Sequence, residues 1–319
     1  MIRSNEATAI LLAPHPWDPA PWAAAIRAAD PQRRLLIGAA PDPAAIGYAL
    51  VWKPPAGTLA QLPRLRAIFS LGAGADHLLT DPALPDVPLV RVVNPDLTQR
   101  MTEWVVLQVL AHHRQQQRYH RQQAARLWKE LPQPAASEVR VGIMGMGALG
   151  RDSAEVLQRL GFDVAGWSRR PVAMAGVTSF HSADQLDAFL ARTDILVSLL
   201  PLTPETRGIL SMALFNKLAK DGKLGGPVLI NAGRGALQVE ADIVAAIETG
   251  VLIGASLDVF APEPLDPSSP LWTMPNVAIT PHAAAASTAE ALIPPLLRQI
   301  ADFEAGKPLA NLIDRSARY

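Results

Sequence analysis

Short apolar runs recur through the first third of the chain, at Ala9–Leu12, Leu35–Ile37, Ala49–Trp52, Ala67–Leu71 and Leu89–Val93. They are apolar at consecutive positions rather than at every second one, the pattern of strands buried on both faces of a parallel sheet. Segments such as WAAAIRAA and GADHLL lie between them and suit helices, so the region reads as a βα alternation. After Asn94–Pro95 the chain has neither Pro nor Gly from Asp96 to Leu131, and Met101, Trp104, Val105, Leu107, Gln108 and Ala111 recur at mixed spacings of three and four. That predicts one long helix. Its second half, HHRQQQRYHRQQAARLWKE, is polar nearly all round and belongs on a surface or across a subunit or domain junction.

A second βα series follows. Its candidate strands are Val139–Met144, Val164–Trp167, Ile195–Leu199, Val228–Asn231, Ala255–Leu257 and Val277–Thr280, with helices at Arg151–Leu160, Ala183–Ala191 and Ala241–Glu248. Five or six such strands make a doubly wound sheet. A last helix is expected over Ala286–Ala305, with Pro294–Pro295 marking a kink or its start. Length points to two domains, since single cores rarely grow beyond about 250–300 residues and the chain has 319.

Composition narrows function more than fold. With 49% hydrophobic and 18% charged residues there is ample apolar material for a large core. A formal net charge of zero gives none of the basic footprint of a nucleic-acid or anionic-membrane binder, which leaves small molecules as the expected partners. The absence of cysteine excludes a disulfide framework, a thiolate nucleophile and a cysteine-ligated metal, and fits a cytoplasmic setting. The opening MIRSNEATAILLAPHPW has too short an apolar stretch for a signal peptide and meets Pro14 and Pro16 at once. No run approaches the ~20 apolar residues that cross a bilayer.

Chemistry first shows in VRVGIMGMGALGRDSAEVLQRLGFDVAGWSRRP, where Gly145, Gly147 and Gly150 form G-x-G-x-x-G between an apolar strand and a helix. Such a turn binds a dinucleotide. The first glycine makes the tight bend, the second admits the pyrophosphate to the backbone, the third packs helix on strand, and the helix N-terminus faces the phosphates. Met146, Ala148 and Leu149 complete the loop. About 20 residues on, an acid would take the ribose hydroxyls of NAD. Here that place is held by Trp167, Ser168, Arg169 and Arg170. A carboxylate repels a 2′-phosphate, whereas a hydroxyl and guanidinium groups hydrogen-bond it and offset its charge, so NADPH is expected in preference to NADH.

Three further segments then fall into order: NAGRG (Asn231–Gly235), SLDVFAPEPL (Ser256–Leu265) and TPHAA (Thr280–Ala284). With GMGALG and PLTPETRGIL (Pro201–Leu210) they resemble the D-isomer-specific 2-hydroxyacid dehydrogenases over nearly the whole chain. Within that family VWKPP, SLGAGADHLL and WSRRP look most like the glyoxylate/hydroxypyruvate reductase A group. The resemblance implies two Rossmann-like or flavodoxin-like α/β domains with doubly wound parallel sheets. The cofactor domain (97–285) would be inserted into the substrate domain (1–96 and 286–319), with the active site in the cleft between them. It implies reduction of glyoxylate to glycolate and of hydroxypyruvate to D-glycerate, by a protein usually dimeric through its cofactor domain.

The same resemblance assigns Arg234 to the substrate, Glu263 to orienting a histidine and His282 to acid–base work. Elementary chemistry suits each. One planar guanidinium can hold both the carboxylate and the adjacent carbonyl of a 2-oxo acid. The alkoxide that develops as hydride arrives needs a proton, which a histidine supplies near neutral pH, and a carboxylate on its other ring nitrogen favours the charged ring. Backbone N–H groups at Ala73 and Gly74 are implied to receive the substrate carboxylate, with Trp52 and Met101 bordering the substrate and limiting its size. Leu200, Pro201, Leu202, Thr203, Ala232 and Gly233 are implied to line the cofactor, with Asp258 near the nicotinamide carboxamide. No pair of these residues has the i, i+4 spacing of a helical metal site, so no metal is assigned. The alternatives are another 2-hydroxyacid or a phosphite-type dehydrogenase, and a cofactor-sensing binding protein similar to the C-terminal binding protein corepressors, which a turnover assay would separate.

Overall fold

The computed structural model describes residues 8–316; residues 1–7, which open the segment considered above for a signal peptide, and residues 317–319 lie outside the described range. In chain order the first elements are β1 (Ala9–Pro14), α1 (Pro19–Ala29), β2 (Leu35–Ile37), β3 (Ile46–Trp52), β4 (Ala67–Ser70), α2 (Asp76–Leu79) and β5 (Leu89–Val90). Helices α3 (Pro95–His113) and α4 (Gln116–Ala124) lead to β6 (Arg140–Met144), α5 (Ala148–Arg159), β7 (Asp163–Ser168), β8 (Thr178–His181), α6 (Leu186–Ala191) and β9 (Ile195–Ser198). Then come α7 (Met212–Phe215), β10 (Val228–Asn231), α8 (Glu240–Glu248), β11 (Gly254–Leu257), β12 (Val277–Ile279) and α9 (Ala289–Glu304). These elements form two compact units, Met1–Asp96 with Ser287–Tyr319, and Leu97–Ala286.

The first unit holds a five-stranded parallel sheet in the order β2-β1-β3-β4-β5. This is the flavodoxin-like order, which reverses direction between β1 and β3. Leu11, Ala49, Val51 and Ile68 pack in one layer, while Ile10, Leu12, Tyr48, Leu50 and Phe69 are fully buried as well. Both faces are covered, which is why the strands read as unbroken apolar runs. Helices α1 and α9 pack together, burying Trp22 and Ile26 of the one and Leu292, Ile293, Leu296 and Ile300 of the other. The last helix starts at Ala289, later than expected, because the Thr288 side chain caps it by accepting from the Ala291 N–H. Pro294 and Pro295 lie inside it and do not end it. The Ala291 carbonyl, which Pro295 has no N–H to reach, accepts instead from Asn94 Nδ2 at 3.0 Å.

The second unit holds a seven-stranded parallel sheet in the order β12-β11-β10-β9-β6-β7-β8, reversing between β9 and β6. On one face Val141, Ile143, Ile195, Val197, Val228 and Ile230 meet Met101, Val105 and Val109 of α3 and Leu157 of α5. On the other face Met144, Leu196, Leu229 and Leu257 meet Phe189 of α6, Phe215 of α7 and Ile243 of α8. Full burial of each such side chain contributes about 1.5–3 kcal/mol, so this double layer holds the strand ends rigidly in place.

Two expectations are corrected here. The sheet has seven strands rather than five or six. The extra one, β8, is an edge strand of sequence TSFH with no buried residue, so it carries no apolar signal. The single long helix is instead two helices and an irregular arm. The break falls at Gln115, which has φ 54°. There Gln115 Nε2 donates to the Pro132 carbonyl at 2.5 Å and Gln133 Nε2 to the His113 carbonyl at 2.9 Å, as the chain doubles back. A segment that is polar all round has no apolar stripe to bury, and nothing holds it to one helical axis. No helix among the described residues is long and apolar enough to cross a membrane.

Candidate active site

The glycine turn leaves β6 with Gly145 at φ 105°. A Cβ there would stand 2.8 Å from the Leu199 carbonyl oxygen, and one at Gly150 would collide with the carbonyl oxygen of Gly145. The fold itself therefore demands glycine at both positions. It makes no such demand at Gly147, where a Cβ would meet no atom within 4 Å. Only Gly147 precedes Ala148 at the start of α5, and no side chain caps the helix, so its first N–H groups remain for an anion. This is a cradle that fits a pyrophosphate. Met146 is buried beneath it and Leu149 packs against the same core layer. Arg151, which the sequence reading did not single out, donates from Nε to the Met146 carbonyl at 3.1 Å and braces the turn. Its only local clue was its place directly after Gly150.

At the end of β7, Trp167 Nε1 donates to the Ser182 carbonyl at 2.8 Å, and Ser168 Oγ donates to the Arg170 carbonyl at 2.6 Å. Arg169 and Arg170 are exposed. On the other side of β6, the chain leaving β9 passes Leu200, whose backbone oxygen would stand 2.8 Å from a Cβ at Gly233. The glycines at 145 and 233 thus let three strand ends converge on residues 199–200. Beyond them Thr206 Oγ1 accepts from the Thr203 N–H and donates to the Pro201 carbonyl, each at 2.8 Å, which fixes the Pro201–Leu202–Thr203 bend.

The loop that carries Arg234 is tied from below. Asn231 Oδ1 accepts from the Gly233 N–H at 3.1 Å, and Asn231 Nδ2 donates to the Arg234 carbonyl at 3.2 Å and to Gln238 Oε1 at 2.9 Å. Gln238 Nε2 passes the chain on to the Val259 carbonyl at 3.0 Å. Asn231 and Gln238 are both buried, as is Ala232. Gln238 gave no sequence signal, because a lone glutamine in a loop shows neither period nor motif. Arg234 is partly exposed, and its Nη1 donates to the Gly233 carbonyl at 2.7 Å.

The histidine turn is built just as tightly. Burial pushes the Asp258 carboxyl up, against the opposing hydrogen bonds from Thr280 Oγ1 at 2.5 Å and from the N–H groups of Ala283 and Ala284 at 2.8 and 3.1 Å. The Asp258 carbonyl accepts from the His282 N–H at 2.7 Å. So Asp258, read above as a cofactor contact, has its carboxylate on the turn itself. His282 sits there at φ 53°, in the left-handed region that residues other than glycine visit uncommonly. Its Nδ1 faces both oxygens of Glu263, at 2.9 and 3.0 Å. Glu263 is aimed in turn by the Phe260 N–H, which donates to Oε1 at 3.2 Å.

In the first unit, Trp52 ends β3, and Ala73 and Gly74 lie on the turn after β4, where Ser70 Oγ donates to the Gly74 carbonyl at 2.9 Å. Met101 is buried in the α3 layer of the second unit among Val105, Val139 and Met146. The second unit thus gathers Arg234, Glu263, His282 and the glycine turn, while Trp52, Ala73 and Gly74 gather in the first.

A glycine turn on a doubly wound sheet and a histidine held by a carboxylate define an α/β oxidoreductase. The family model for the NAD binding domain of D-isomer specific 2-hydroxyacid dehydrogenases matches residues 106–284. An NADPH-dependent glyoxylate/hydroxypyruvate reductase from Sinorhizobium meliloti, solved with NADP and sulfate, is 50% identical, with 98% of this chain and 100% of that chain covered and a TM-score of 0.93. A probable 2-hydroxyacid dehydrogenase from Rhizobium etli, solved with NADP, HEPES and L(+)-tartaric acid, is 48% identical at the same coverage and TM-score. A D-isomer specific 2-hydroxyacid dehydrogenase from Xanthobacter autotrophicus, solved with NADPH and MES, is 39% identical, again with 98% and 100% covered and a TM-score of 0.93. The chain belongs to the D-isomer-specific 2-hydroxyacid dehydrogenase family.

Proposed function

We propose that this protein reduces small 2-oxo acids with NADPH, glyoxylate to glycolate and hydroxypyruvate to D-glycerate foremost. The observation that carries the reading is the pairing of His282 Nδ1 with both Glu263 oxygens. It commits the Nδ1 proton to the carboxylate and leaves Nε2 to deliver a proton to the substrate oxygen. Arg234 holds the substrate carboxylate and carbonyl together, with the Ala73 and Gly74 N–H groups on the carboxylate and Trp52 and Met101 bounding the chain beyond it. Residues 97–285 act as the cofactor domain and the remainder as the substrate domain. Gly145–Gly150 and the first turn of α5 hold the pyrophosphate, Trp167–Arg170 the 2′-phosphate, and Leu200–Thr203, Ala232, Gly233 and Asp258 the remaining wall. When bound, the reduced nicotinamide supplies the hydride. The three relatives solved with NADP or NADPH support the choice of cofactor.

Initial rates with glyoxylate and hydroxypyruvate, each with NADPH and NADH, test the proposal on the native chain, Arg169→Ala and His282→Gln. NADPH preference should be strong and should erode in Arg169→Ala, while His282→Gln should lower kcat about 10²–10⁴-fold. Equal use of both cofactors would remove the 2′-phosphate from the reading, and faster reduction of phenylpyruvate than of glyoxylate would remove the small substrate.

A homodimer in the cytoplasm completes the proposal. Leu107 on α3, with Leu127 and Trp128 on the arm after α4, are 60%, 52% and 103% exposed, a cost in water that a second copy would relieve. Gel filtration at two concentrations tests this, a monomer at both overturning it.

A further inference from the structure

The sheet of the first unit reverses its order between β1 and β3, and in open α/β sheets ligands settle outside the carboxyl ends of the strands at such a point. Three indoles occupy that place. Trp52 ends β3, Trp17 follows β1 with its N–H donating to the Pro14 carbonyl at 2.7 Å, and Trp22 lies on α1. Trp17 stacks on Trp52 with ring centres 5.1 Å apart and planes within 7°, and on Trp22 at 5.6 Å and 11°. Trp22 and Trp52 are buried, while Trp17, the middle ring, is 40% exposed. The far end of the column is closed by His77, whose ring lies 4.4 Å from that of Trp52 at a 58° tilt.

The column bears directly on the turn that follows β4. A Cβ on Gly72 would collide with the six-membered ring of Trp52, standing 2.8 Å from Cη2, so the indole rests against the Cα of the residue before Ala73. The turn cannot slide away from it. Gly72 and Gly74 are held to Ser70 through its hydroxyl, and the Leu71 N–H donates to the Val51 carbonyl at 2.9 Å, one residue before Trp52. An indole stacked on a parallel ring and in close contact with a glycine Cα has little room to turn. Without Trp17, one of its supports becomes water and the ring gains freedom to turn.

We propose that Trp17 is a positioning residue for substrate size: through Trp52 it holds a fixed wall beside the Ala73–Gly74 turn and so sets how large a side chain the 2-oxo acid carries. The proposal rests on the reading that Trp52 borders the substrate.

The test measures kcat and KM for glyoxylate and for phenylpyruvate with saturating NADPH in the native enzyme, Trp17→Ala, Trp17→Leu, Trp17→Phe and Trp52→Ala. Circular dichroism of the coupled indoles and thermal melting accompany the rates. In Trp17→Ala and Trp17→Leu the ratio of kcat/KM for phenylpyruvate over glyoxylate should rise about tenfold, mainly through KM for the larger acid. Trp17→Phe, which restores a stacking ring, should return most of the native ratio, and Trp52→Ala should raise it at least as far as Trp17→Ala. The coupled-indole signal should disappear in Trp17→Ala and Trp17→Leu. A ratio unchanged by both Trp17→Ala and Trp17→Leu but raised by Trp52→Ala would overturn the role of Trp17 and leave the reading of Trp52 standing. A ratio unchanged in Trp52→Ala would overturn that reading and the proposal with it. Having two variants without the ring keeps the comparison available should one of them fail to fold.

Discussion

Two of the turns that leave parallel strands through glycines, SLGAG after β4 and GMGALG after β6, use the residue differently. In GMGALG, Gly145 and Gly150 are required by backbone approaching backbone, and Gly147 faces open space before a helix of twelve residues. In SLGAG, Gly72 is required by the ring of one tryptophan, and the helix that follows has four residues. One turn thus leaves the space over its middle glycine open at the uncapped N-terminus of a helix. The other is built around a side chain and closed by a serine hydroxyl. Glycine spacing alone does not say which, whereas the length of the following helix and the volume over each Cα do.

The comparison breaks most visibly at Gly150. Gly150→Ala drives a methyl into a carbonyl oxygen that cannot move without unmaking the turn, so a loss above about 3 kcal/mol is expected, read as a collapsed melting temperature and no NADPH binding. Wild-type-like melting would show that the turn is softer than its geometry implies.

Acid should come next, and it acts on the second unit. Ser256 Oγ donates to Gln108 Oε1 at 2.8 Å, so the proton in its 2.9 Å contact with His112 comes from His112 Nε2. Although the residue keeps some exposure, burial of its ring pushes the His112 pKa down to about 4. The native state therefore holds it neutral, and the unfolded chain takes up a proton first as pH falls. Stability from this source is complete above about pH 6.5 and is lost toward pH 4, on the order of 2–3 kcal/mol. Urea midpoints at pH 7 and pH 4.5 should converge in His112→Gln more than in the native chain, and an equal acid loss in both would sink the assignment.

A smaller effect is expected at Gly72, where Gly72→Ala meets a ring rather than backbone and the indole can give way at about 1–3 kcal/mol. Gly147→Ala should be the mildest for the fold, with stability changed by less than about 0.5 kcal/mol and NADPH affinity nevertheless reduced, because the methyl fills the cradle. Equal damage to folding at positions 147 and 150 would erase the distinction between the two glycines.

What could be read from the chain followed from locality. Strands covered on both faces announce themselves as apolar runs, and a strand, glycine turn and helix in succession announce a dinucleotide site. Glu263 and His282 stand in contiguous motifs. By contrast β8 is an edge strand with polar residues, so its pairing with β7 leaves no pattern. The break at Gln115 depends on Gln133 returning to cap His113, and Gln238 acts by joining Asn231 to Val259. Trp17 and Trp52 are far apart in the chain and meet only because β1 and β3 pair side by side. Each of these was hidden because its cause lies in another segment of the chain.

The segment bearing Arg234 and the one bearing Glu263 lie so close that a Cβ on Gly235 would collide with the Phe260 carbonyl, and one buried amide chain stitches them together. Neither can drift alone. A descendant of this enzyme that altered the path of one would need a compensating change in the other, so the two segments should covary as a single heritable block.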